Sequence, residues 1–509
     1  MPIRLILVMF KLEKLTESLL SSEVFLINTK GLFLEESLDL IKKYTGFSGS
    51  NAVALISKDV KYLITDGRYI AQANSQCVGF KILNQTDVNV YEIINSFDKA
   101  FLPAQTLSAD FIERIKIPCD FFSVDLKNDF ADFEYKDFLE NRINIFQKKI
   151  YPQNAFLLSP EKTAHFFGIR SKNFCQTRIP NVYGIITEKS KFVSSDVEKI
   201  KQILKLENIK TLTLNKKSIN LMMFDSLKND FDIKHDDFLN ENKLQAIKTN
   251  EEIEKIKHAH VLDAVAINKF TKWLYENIDK DIYESDCVDA MENFKLQNSN
   301  YIGSSFNTIA GFKENGAVIH YNHTQNNKKL DKTGVLLIDS GSQYEGLGTT
   351  DMTRVFSFGS ISDEIKIAYT VTLKSHIAVA SFKWQTGMIF SQLDTIARYK
   401  FWEVGLQDYA HGTGHGVGFC ADVHEGPFGL SKYCNLEIQP NIVFSNEPGY
   451  YKIGSFGIRL ENLYYSTSSS FENLTLIPFN ENLIKKDLLN QHEISWLDSY
   501  NTNCLKFLI

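Results

Sequence analysis

Five residues in the last third of the chain are of the types that bind metal ions: Asp339, Asp351, His415, Glu447 and Glu461. Four carboxylates and one imidazole form a hard, oxygen-rich ligand set, which suits divalent manganese, zinc or cobalt rather than a thiolate-preferring metal. If all the acids converge on one cavity, their mutual repulsion is prohibitive unless cations neutralise it. The residue types therefore predict a site for two divalent metal ions.

The sequence around the acids indicates how they could meet. The stretch around the two aspartates reads as two strands with a glycine-containing connection, which predicts Asp339 at the end of one strand and Asp351 at the start of the next. A hairpin would bring both carboxylates together. Glu447 in SNEPGYY and Glu461 in GIRLEN follow strand-like runs, in apolar contexts where an unpaired charge is unfavourable.

Histidines are concentrated in the same region. Five of the eleven histidines, His320, His323, His411, His415 and His424, lie within about a hundred residues of one another. Histidine is the usual neutral metal ligand and a proton carrier near pH 7. The glycines of HGTGHGVG would let the backbone pass close to a ligand, while their spacing does not fit a dinucleotide-binding loop.

The length and pattern of the chain predict three domains. At 509 residues, the prior of roughly 100 to 200 residues per domain gives about three. Alternating strand and helix patterns predict α/β folds for residues 1–127 and 128–243, and an α+β domain for residues 244–509.

The third domain opens with a clear helical signal. Thr249 and Glu252 have capping-box spacing, and apolar residues then recur at helical intervals, which predicts a helix over residues 250–277. Two more helices are predicted at residues 363–382 and 390–404.

Other polar motifs read as structural. TGFSGSN at residues 45–51 lacks the lysine and spacing of a phosphate-binding loop, and TDGRY at residues 65–69 follows a strand-like run, so both are interpreted as turns. In the second domain His165 and Arg170 are the polar residues that stand out, and both are interpreted as structural.

Composition excludes several classes of protein. A net charge of −6 gives no basic surface for nucleic acid. The seven cysteines are scattered without C-x-x-C spacing, which is typical of reduced thiols in a cytosolic protein. The apolar run near the N-terminus is too short for a signal peptide, and no run approaches the roughly 20 residues that span a bilayer. We therefore expect a cytoplasmic protein that does not bind membranes.

The ordered acids and histidine resemble the metallopeptidases of the pita-bread fold, and most closely the long, three-domain cytosolic aminopeptidase P group. The motifs that carry this resemblance are TGFSGSNA, ITDGRY, NGAVIHY, HGTGHGVG, VHEGP, EPGYY and FGIRLENL. It covers nearly the whole chain. It implies two creatinase-like α/β domains before a C-terminal pita-bread catalytic domain, a homodimer, and removal of the N-terminal residue from peptides with proline in second place.

The resemblance also implies roles for the metal-ligand residues. Asp339 would bind one ion, His415 and Glu447 the other, and Asp351 and Glu461 would bridge them. The ions would be Mn²⁺ first, with Zn²⁺ or Co²⁺ possible, and a bridging hydroxide would be the nucleophile.

Glu447 would also carry the proton to the leaving nitrogen. His320, His411 and His424 resemble the family's substrate-side histidines. Arg459 resembles an arginine of the prolyl pocket, with an ion pair to Glu461 as an equal alternative.

Two alternatives stay open beside an Xaa-Pro aminopeptidase. A prolidase, which cleaves only Xaa-Pro dipeptides, is the nearest enzymatic rival. A metal-free peptide-binding protein of the same fold is the other, although such a protein normally lacks some of the ligands that this sequence retains.

Overall fold

A computed structural model describes residues 12–29, 34–122, 133–135, 152–171, 176–324 and 326–506. The chain forms two compact units, Met1–Ile169 with Pro180–Phe238 and Arg170–Ile179 with Leu239–Ile509. The predicted domain boundary at residue 127 lies outside the described residues, and residue 243 lies inside a helix of the second unit. Within the described residues, every helix is too short or too polar to cross a membrane.

The first unit begins with a mixed six-stranded sheet in the order β4-β3-β2-β1-β5-β6. Apolar clusters cover both of its faces. The strands are β1 (Glu23–Asn28), β2 (Ala52–Ile56), β3 (Lys61–Thr65), β4 (Lys81–Asn84), β5 (Lys99–Pro103) and β6 (Cys119–Phe122). The helices are α1 (Leu12–Ser18), α2 (Leu34–Thr45), α3 (Ile70–Gln76), α4 (Val90–Ile94) and α5 (Ala109–Glu113).

The same unit contains a second mixed sheet, in the order β11-β10-β8-β12-β13. In the first sheet, β1 pairs antiparallel with β2 and parallel with β5, and β5 pairs parallel with β6. In the second sheet, β8 pairs antiparallel with β10 and parallel with β12, and β12 pairs parallel with β13. The second α/β segment thus repeats the topology of the first. The strands of this sheet are β8 (Asn154–Leu158), β10 (Tyr183–Ile186), β11 (Lys191–Ser194), β12 (Thr211–Leu214) and β13 (Asp232–His235). The strands β7 (Phe133–Tyr135) and β9 (Ile169–Ser171) lie outside it. The helices are α6 (Pro160–Phe166), α7 (Val197–Leu206) and α8 (Leu221–Lys228).

The two polar motifs of the first sheet contact each other. The Ser50 and Tyr69 hydroxyl groups are 2.6 Å apart, and the Asn51 amide donates to the Asp66 carboxylate. Arg68 donates to Asp66 from Nε at 2.9 Å and from Nη2 at 2.8 Å. Residues 67–69 form the predicted turn, whereas residues 46–51 form an irregular connection with a bend at residues 49–50, and the two motifs hold each other in place.

The second unit holds the remaining elements. Its main sheet is built on the 11-residue strand β16, which pairs with β14, β15 and β17. The strands are β14 (Tyr301–Ser304), β15 (Ile309–Phe312), β16 (Gly334–Tyr344), β17 (Gly348–Phe358), β18 (Val443–Asn446), β19 (Gly449–Lys452), β20 (Phe456–Arg459), β21 (Asn462–Ser466) and β22 (Phe471–Asn473). The helices are α9 (Leu239–Ala246), α10 (Asn250–Asn277), α11 (Glu284–Lys295), α12 (Asp363–Ala380), α13 (Phe390–Trp402) and α14 (Gln491–Leu505).

The predicted helices of this unit are confirmed. Helix α10 begins after Thr249, whose side chain accepts from the Glu252 amide at 3.1 Å, while the Glu252 carboxylate accepts from the Thr249 amide at 2.7 Å. The predicted apolar stripe of α10 is buried. Helices α12 and α13 end two residues before the predicted ends at 382 and 404.

Helices cover both faces of the β16–β17 hairpin. Residues of α10 and α11 pack with Leu336 and Ile338 on one face. Residues of α12 pack with Val335 and Leu337 on the other. Since side chains alternate along a strand, Asp339 continues the row of Val335 and Leu337 and projects from the face that packs on α12.

Candidate metal centre

The predicted hairpin forms, but the aspartates do not lie at its turn. Asp339 is in the middle of β16 opposite Thr353, and Asp351 is within β17 opposite Gly341. The prediction that Asp339 ends its strand was therefore wrong, because the polar and glycine residues that follow it continue the strand. The two aspartates are diagonal neighbours on one face, since Asp339 and Gly341 are two residues apart on the same strand.

Glu461 joins them from the short connection between β20 and β21. Its amide donates to the Thr353 carbonyl at 3.2 Å, and its Oε2 accepts from the Thr353 hydroxyl at 2.7 Å. Thr353 therefore fixes both the backbone and the carboxylate of Glu461. This threonine could not be recognised from the sequence, because its role depends on a contact with a residue 108 positions further along the chain.

Glu447 directly follows β18, as expected from the sequence. Its amide donates to the Thr413 carbonyl at 2.8 Å, and its Oε1 accepts from the Ser445 hydroxyl at 3.3 Å. The Glu447 side chain is 18% exposed, whereas that of Asp351 is 5% exposed. Glu447 is thus the more open of these two carboxylates.

His415 lies between Asp351 and Glu447. Its Nε2 is 3.4 Å from Asp351 Oδ2 and 3.6 Å from Glu447 Oε1. Its Nδ1 is 3.1 Å from the Gly416 carbonyl, which it can meet only as a donor. In the neutral ring, that hydrogen bond leaves the Nε2 lone pair facing the acids, where it can bind a metal ion.

The glycines of HGTGHGVG allow close backbone packing around His415. A side chain at Gly414 would collide with the Ser445 carbonyl, and one at Gly416 would collide with the Glu425 carbonyl. The expectation that these glycines let the backbone pass close to a ligand stays a prediction. The partner in the structure is neighbouring backbone, which holds the histidine in position.

Without cations, the negative charges of the clustered carboxylates are unfavourable. Burial raises the pKa of the Asp351 carboxyl to about 7, and Asp339 and Glu447 add repulsion to it. Burial likewise raises the pKa of Glu447 and takes that of Glu461 well above its usual value. Burial alone would lower the pKa of His415, but Asp351 and Glu447 raise it to about 9.

Two buried oxygen atoms also lack donors. Within the part of the chain that the structure describes, Asp339 Oδ1 and Asp351 Oδ1 have no hydrogen-bond partner. One potential ligand atom from each of Asp351, His415 and Glu461 lies within 4.8 Å of the others. Unpaired buried carboxylate oxygens beside a histidine lone pair fit divalent cations, because cations would satisfy the oxygens and offset the repulsion.

Arg459 pairs with an acid other than the predicted Glu461. Its Nη2 donates to Asp339 Oδ2 at 2.5 Å and its Nε donates to the Thr353 hydroxyl at 3.1 Å. Its Nη1 donates to the Tyr451 hydroxyl at 2.9 Å. The ion pair therefore holds the free carboxylate oxygen of Asp339 in a defined direction.

His411 is linked to the same arginine through Tyr451. Its Nε2 is 2.9 Å from the Tyr451 hydroxyl, and its Nδ1 is 2.7 Å from the Gly412 carbonyl. Nδ1 must donate to the carbonyl, so in the neutral ring Nε2 accepts from Tyr451. Sequence reasoning missed Tyr451, although its motif, EPGYY, contains it.

The other two predicted histidines lie around this cluster. The His424 ring is exposed, with its centroid 4.2 Å from that of His415. His320 is half-buried in a turn, and the carbonyl of its neighbour Ile319 is 3.5 Å from Arg459 Nη1. The structure thus places His411 and His415 beside acids of the cluster and His424 beside His415, and it connects the His320 turn to Asp339 through Arg459.

Sequence comparisons assign this region to a family. Residues 254–468 match the profile described as "Metallopeptidase family M24", and residues 468–508 match "C-terminal region of peptidase_M24". The chain belongs to metallopeptidase family M24. All the predicted site residues lie within the M24 match, and residues 44–124 match "Creatinase/Prolidase N-terminal domain".

Individual relatives agree with this assignment. The chain is 29% identical over 558 residues to a probable Xaa-Pro aminopeptidase P of Metarhizium acridum, with 91% of this chain and 89% of the relative covered. It is 36% identical over 274 residues to Xaa-Pro aminopeptidase 1 of Dictyostelium discoideum, with 50% and 43% covered.

One solved structure is similar to nearly the whole chain. It is the X-prolyl aminopeptidase of Caenorhabditis elegans, described as a cytosolic enzyme with a di-nuclear active site, with a TM-score of 0.84 and 25% identity. The match covers 98% of this chain and 95% of the other. The fold is therefore that of creatinase-like α/β domains followed by a C-terminal pita-bread catalytic domain.

Proposed function

We propose that this M24 protein is a metal-dependent Xaa-Pro aminopeptidase, which hydrolyses the bond between an N-terminal residue and a proline in second place. The observation that carries the proposal is the cluster of buried acids around His415, with unsatisfied oxygens at Asp339 and Asp351. The Xaa-Pro aminopeptidases among its whole-chain relatives supply the substrate class.

Five residues would hold two divalent ions: Asp339 on one ion, His415 and Glu447 on the other, and Asp351 and Glu461 between them. Mn²⁺ is the proposed metal, and Zn²⁺ or Co²⁺ would suit the same ligands. When bound, the ions would activate water as the nucleophile and stabilise the oxyanion that forms at the scissile carbonyl. The di-nuclear site described for the Caenorhabditis elegans relative supports the number of ions.

The protein's own groups would complete the reaction. Glu447 would pass a proton to the departing prolyl nitrogen, because its carboxylate is next to His415 and the more open to solvent. His424 would hold the peptide over His415, and His320 and His411 would contact the substrate on the remaining sides. Arg459 would line the prolyl pocket while it keeps Asp339 oriented.

Proline explains why a dedicated enzyme is needed. A peptide bond to proline has no N–H group, and the ring restricts the backbone, so peptidases that recognise an extended N–H-bearing chain are excluded. A pocket that fits the proline ring beside a metal centre can recognise the substrate without the missing N–H group. The substrates are accordingly proline-containing peptides, with no role for nucleic acid or membranes.

Organisation and location are part of the proposal. We propose three domains, at residues 1–127, 128–243 and 244–509, which is supported by the repeated sheet topology of the first unit. We also propose a homodimer in the cytoplasm. The location is supported by the cytosolic description of the Caenorhabditis elegans relative and by the free thiols of the six cysteines that the structure describes.

The test uses the purified full chain, stripped with a chelator and reloaded separately with Mn²⁺, Zn²⁺ or Co²⁺. Three substrates are compared: an Xaa-Pro tripeptide, the matching Xaa-Pro dipeptide, and a tripeptide with alanine in place of proline. We expect metal-dependent release of the first residue from the Xaa-Pro tripeptide and not from the alanine control.

Other results of the same assays would favour one of the two alternative functions or remove the proposal. Cleavage of the dipeptide alone would make the protein a prolidase. Peptide binding without hydrolysis under every metal would make it a binding protein. Metal-loaded protein that neither binds nor cleaves any Xaa-Pro peptide would remove the proposal.

A further inference from the structure

The segment that carries His424 has no helix or strand. This His424 loop, residues 418–426, is closed by two backbone hydrogen bonds, from the Gly418 amide to the Asp422 carbonyl at 2.9 Å and from the Glu425 amide to the Gly416 carbonyl at 2.8 Å. Cys420 within it has a left-handed φ of 47°. Such a loop needs side-chain contacts from elsewhere to keep one conformation.

Side chains from distant parts of the same unit provide those contacts. Arg170 donates from Nη2 to the Phe419 carbonyl at 2.8 Å and from Nε to the Cys420 carbonyl at 2.5 Å. Gln343 donates to the Ala421 carbonyl at 2.7 Å. The first half of the loop is therefore fixed through its own carbonyl groups.

The second half is fixed through Glu425. Lys248 Nζ lies 2.5 Å from Glu425 Oε1, and the Gln245 amide donates to Glu425 Oε2 at 3.0 Å. The side chains of Lys248 and Glu425 are 2% and 8% exposed. Both carboxylate oxygens of Glu425 are thus held by residues that precede helix α10.

A buried ion pair such as that of Lys248 and Glu425 affects geometry more than net stability. Burial of both charges offsets most of their attraction, so such a pair contributes little net stability compared with apolar residues of similar size. It does impose a defined geometry, because a displaced partner would leave a buried charge unpaired. The pair between Lys248 and Glu425 is therefore better suited to fixing the position of a segment than to stabilising the fold.

His424 is the residue whose position depends on this anchor. His424 is exposed, and its ring centroid lies 4.2 Å from that of His415. Its backbone is constrained on both sides, by Asp422 Oδ1, which accepts from the His424 amide at 3.0 Å, and by Glu425. A shift at Glu425 would move the imidazole directly.

We propose that Lys248 and Glu425 are positioning residues, whose buried ion pair holds His424 over His415 for hydrolysis. The inference rests on the proposed peptidase function. Displacement of a catalytic group by about 1 Å can lower a rate by about 100-fold, so loss of this anchor should act on kcat rather than on metal binding.

The central experiment is a double-mutant cycle of Lys248→Met, Glu425→Leu and the double variant. Each single variant leaves one buried charge unpaired, so both stability and kcat should fall. The double variant removes both charges, and its Tm should return towards wild type. Its kcat should stay about 10- to 100-fold below wild type, with KM changed by less than about threefold and metal content unchanged.

The conservative variant Glu425→Asp provides a second test if the double variant folds poorly. It keeps the charge but shortens the side chain, so we expect a lower kcat at a Tm close to that of wild type. The matched control is Glu254→Gln, which breaks the surface ion pair of Glu254 with Lys257, whose side chains are 70% and 39% exposed. This control should leave kcat unchanged.

Hydrogen exchange gives a readout that is independent of activity. Amides of residues 416–426 should exchange faster in the double variant, while those of β16 and β17 should not change. Recovery of wild-type kcat and loop exchange together with Tm in the double variant would overturn the inference. Wild-type protein inactive on every Xaa-Pro peptide would instead overturn the proposed function, so the two failures are distinguishable.

Discussion

Two aspartates, the half-buried Asp66 in the first unit and the buried Asp351 in the second, have opposite surroundings. Asp66, in the motif pair of the first unit, accepts from Arg68 on both oxygens and from Asn51. Burial alone would raise the pKa of its carboxyl, but these contacts lower it below its usual value. Asp351 has one oxygen without a donor, and burial raises its pKa to about 7.

The contrast separates a structural carboxylate from a functional one. A carboxylate that receives charged and neutral donors is stable as an anion and ties its neighbours together. A buried carboxylate surrounded by other acids is unstable as an anion until a cation arrives. Both aspartates belong to glycine-containing polar motifs, so the motif alone does not distinguish them. The two aspartates differ in whether their carboxylate oxygens accept hydrogen bonds from donors.

The largest expected effect follows from Asp351→Asn. This change removes an anionic ligand between the two proposed ions, so kcat/KM for an Xaa-Pro tripeptide should fall on the order of 10³-fold or more. The metal-free protein should melt at the same temperature or higher, because a repelled buried carboxylate is gone. Steady-state assays and thermal melts of chelated protein check the two parts. A lower Tm with intact activity would mean that Asp351 is a structural carboxylate and not a metal ligand.

A smaller effect is expected at Thr353, which supports Glu461 without being a proposed ligand. Thr353→Val keeps the shape but removes the hydroxyl that donates to Glu461 Oε2. Loss of such an outer contact typically weakens metal binding by about 10- to 100-fold. Titration calorimetry with Mn²⁺ measures the change. Thr349→Val is a matched control, since Thr349 donates to Gln343 rather than to an acid of the site.

Asp66→Asn tests the structural side of the comparison. The variant loses the ion pair with Arg68, so the free energy of unfolding should fall by about 1 to 3 kcal/mol. The folded protein should keep its metal content and its kcat/KM. Denaturant unfolding and a parallel assay are sufficient. A specific loss of activity at unchanged stability would mean that the motif pair of the first unit has a direct role in the reaction.

The smallest effect expected is a pH dependence of the metal-free protein. Folded Asp351 holds a proton up to about pH 7 against a usual pKa of 3.8, and folded His415 holds one up to about 9 against 6.5. The folded state therefore binds more protons than the unfolded state between these values, and its stability should fall as pH rises.

Metal loading should cancel this loss. The difference in Tm between metal-loaded and chelated protein should be larger at about pH 8 than at about pH 5, by several degrees. Thermal melts at both pH values, with and without metal, provide the measurement. An equal difference at both pH values would show that the acids do not titrate as described.

Much of the second unit could be predicted from the sequence, because its signals are local. Helix α10 has a capping box and one apolar stripe, and the hairpin has two apolar strands around Gly346. The strand position of Asp339 was missed, since the residues after it have turn-forming side chains. At Gly341 the strand needs a glycine, because Ser305 and the Thr350 backbone occupy the space that a side chain would fill.

The rest of the site depends on contacts between distant residues. Arg459 reaches Asp339 across 120 residues, and Lys248 reaches Glu425 across 177. A charged residue in a sequence gives no sign of which opposite charge it will meet. The ligand types could therefore be predicted, whereas the residues that orient them could be found only in the folded chain.

The most direct test of the account is the number of metal ions bound per chain. Chelated protein is reloaded with Mn²⁺, freed of excess metal and analysed by elemental mass spectrometry. We expect about two ions per chain in the wild-type protein and in Asp66→Asn, and fewer in Asp351→Asn. Wild-type protein that retains no metal, or Asp351→Asn that retains as much as wild type, would contradict the proposed metal centre.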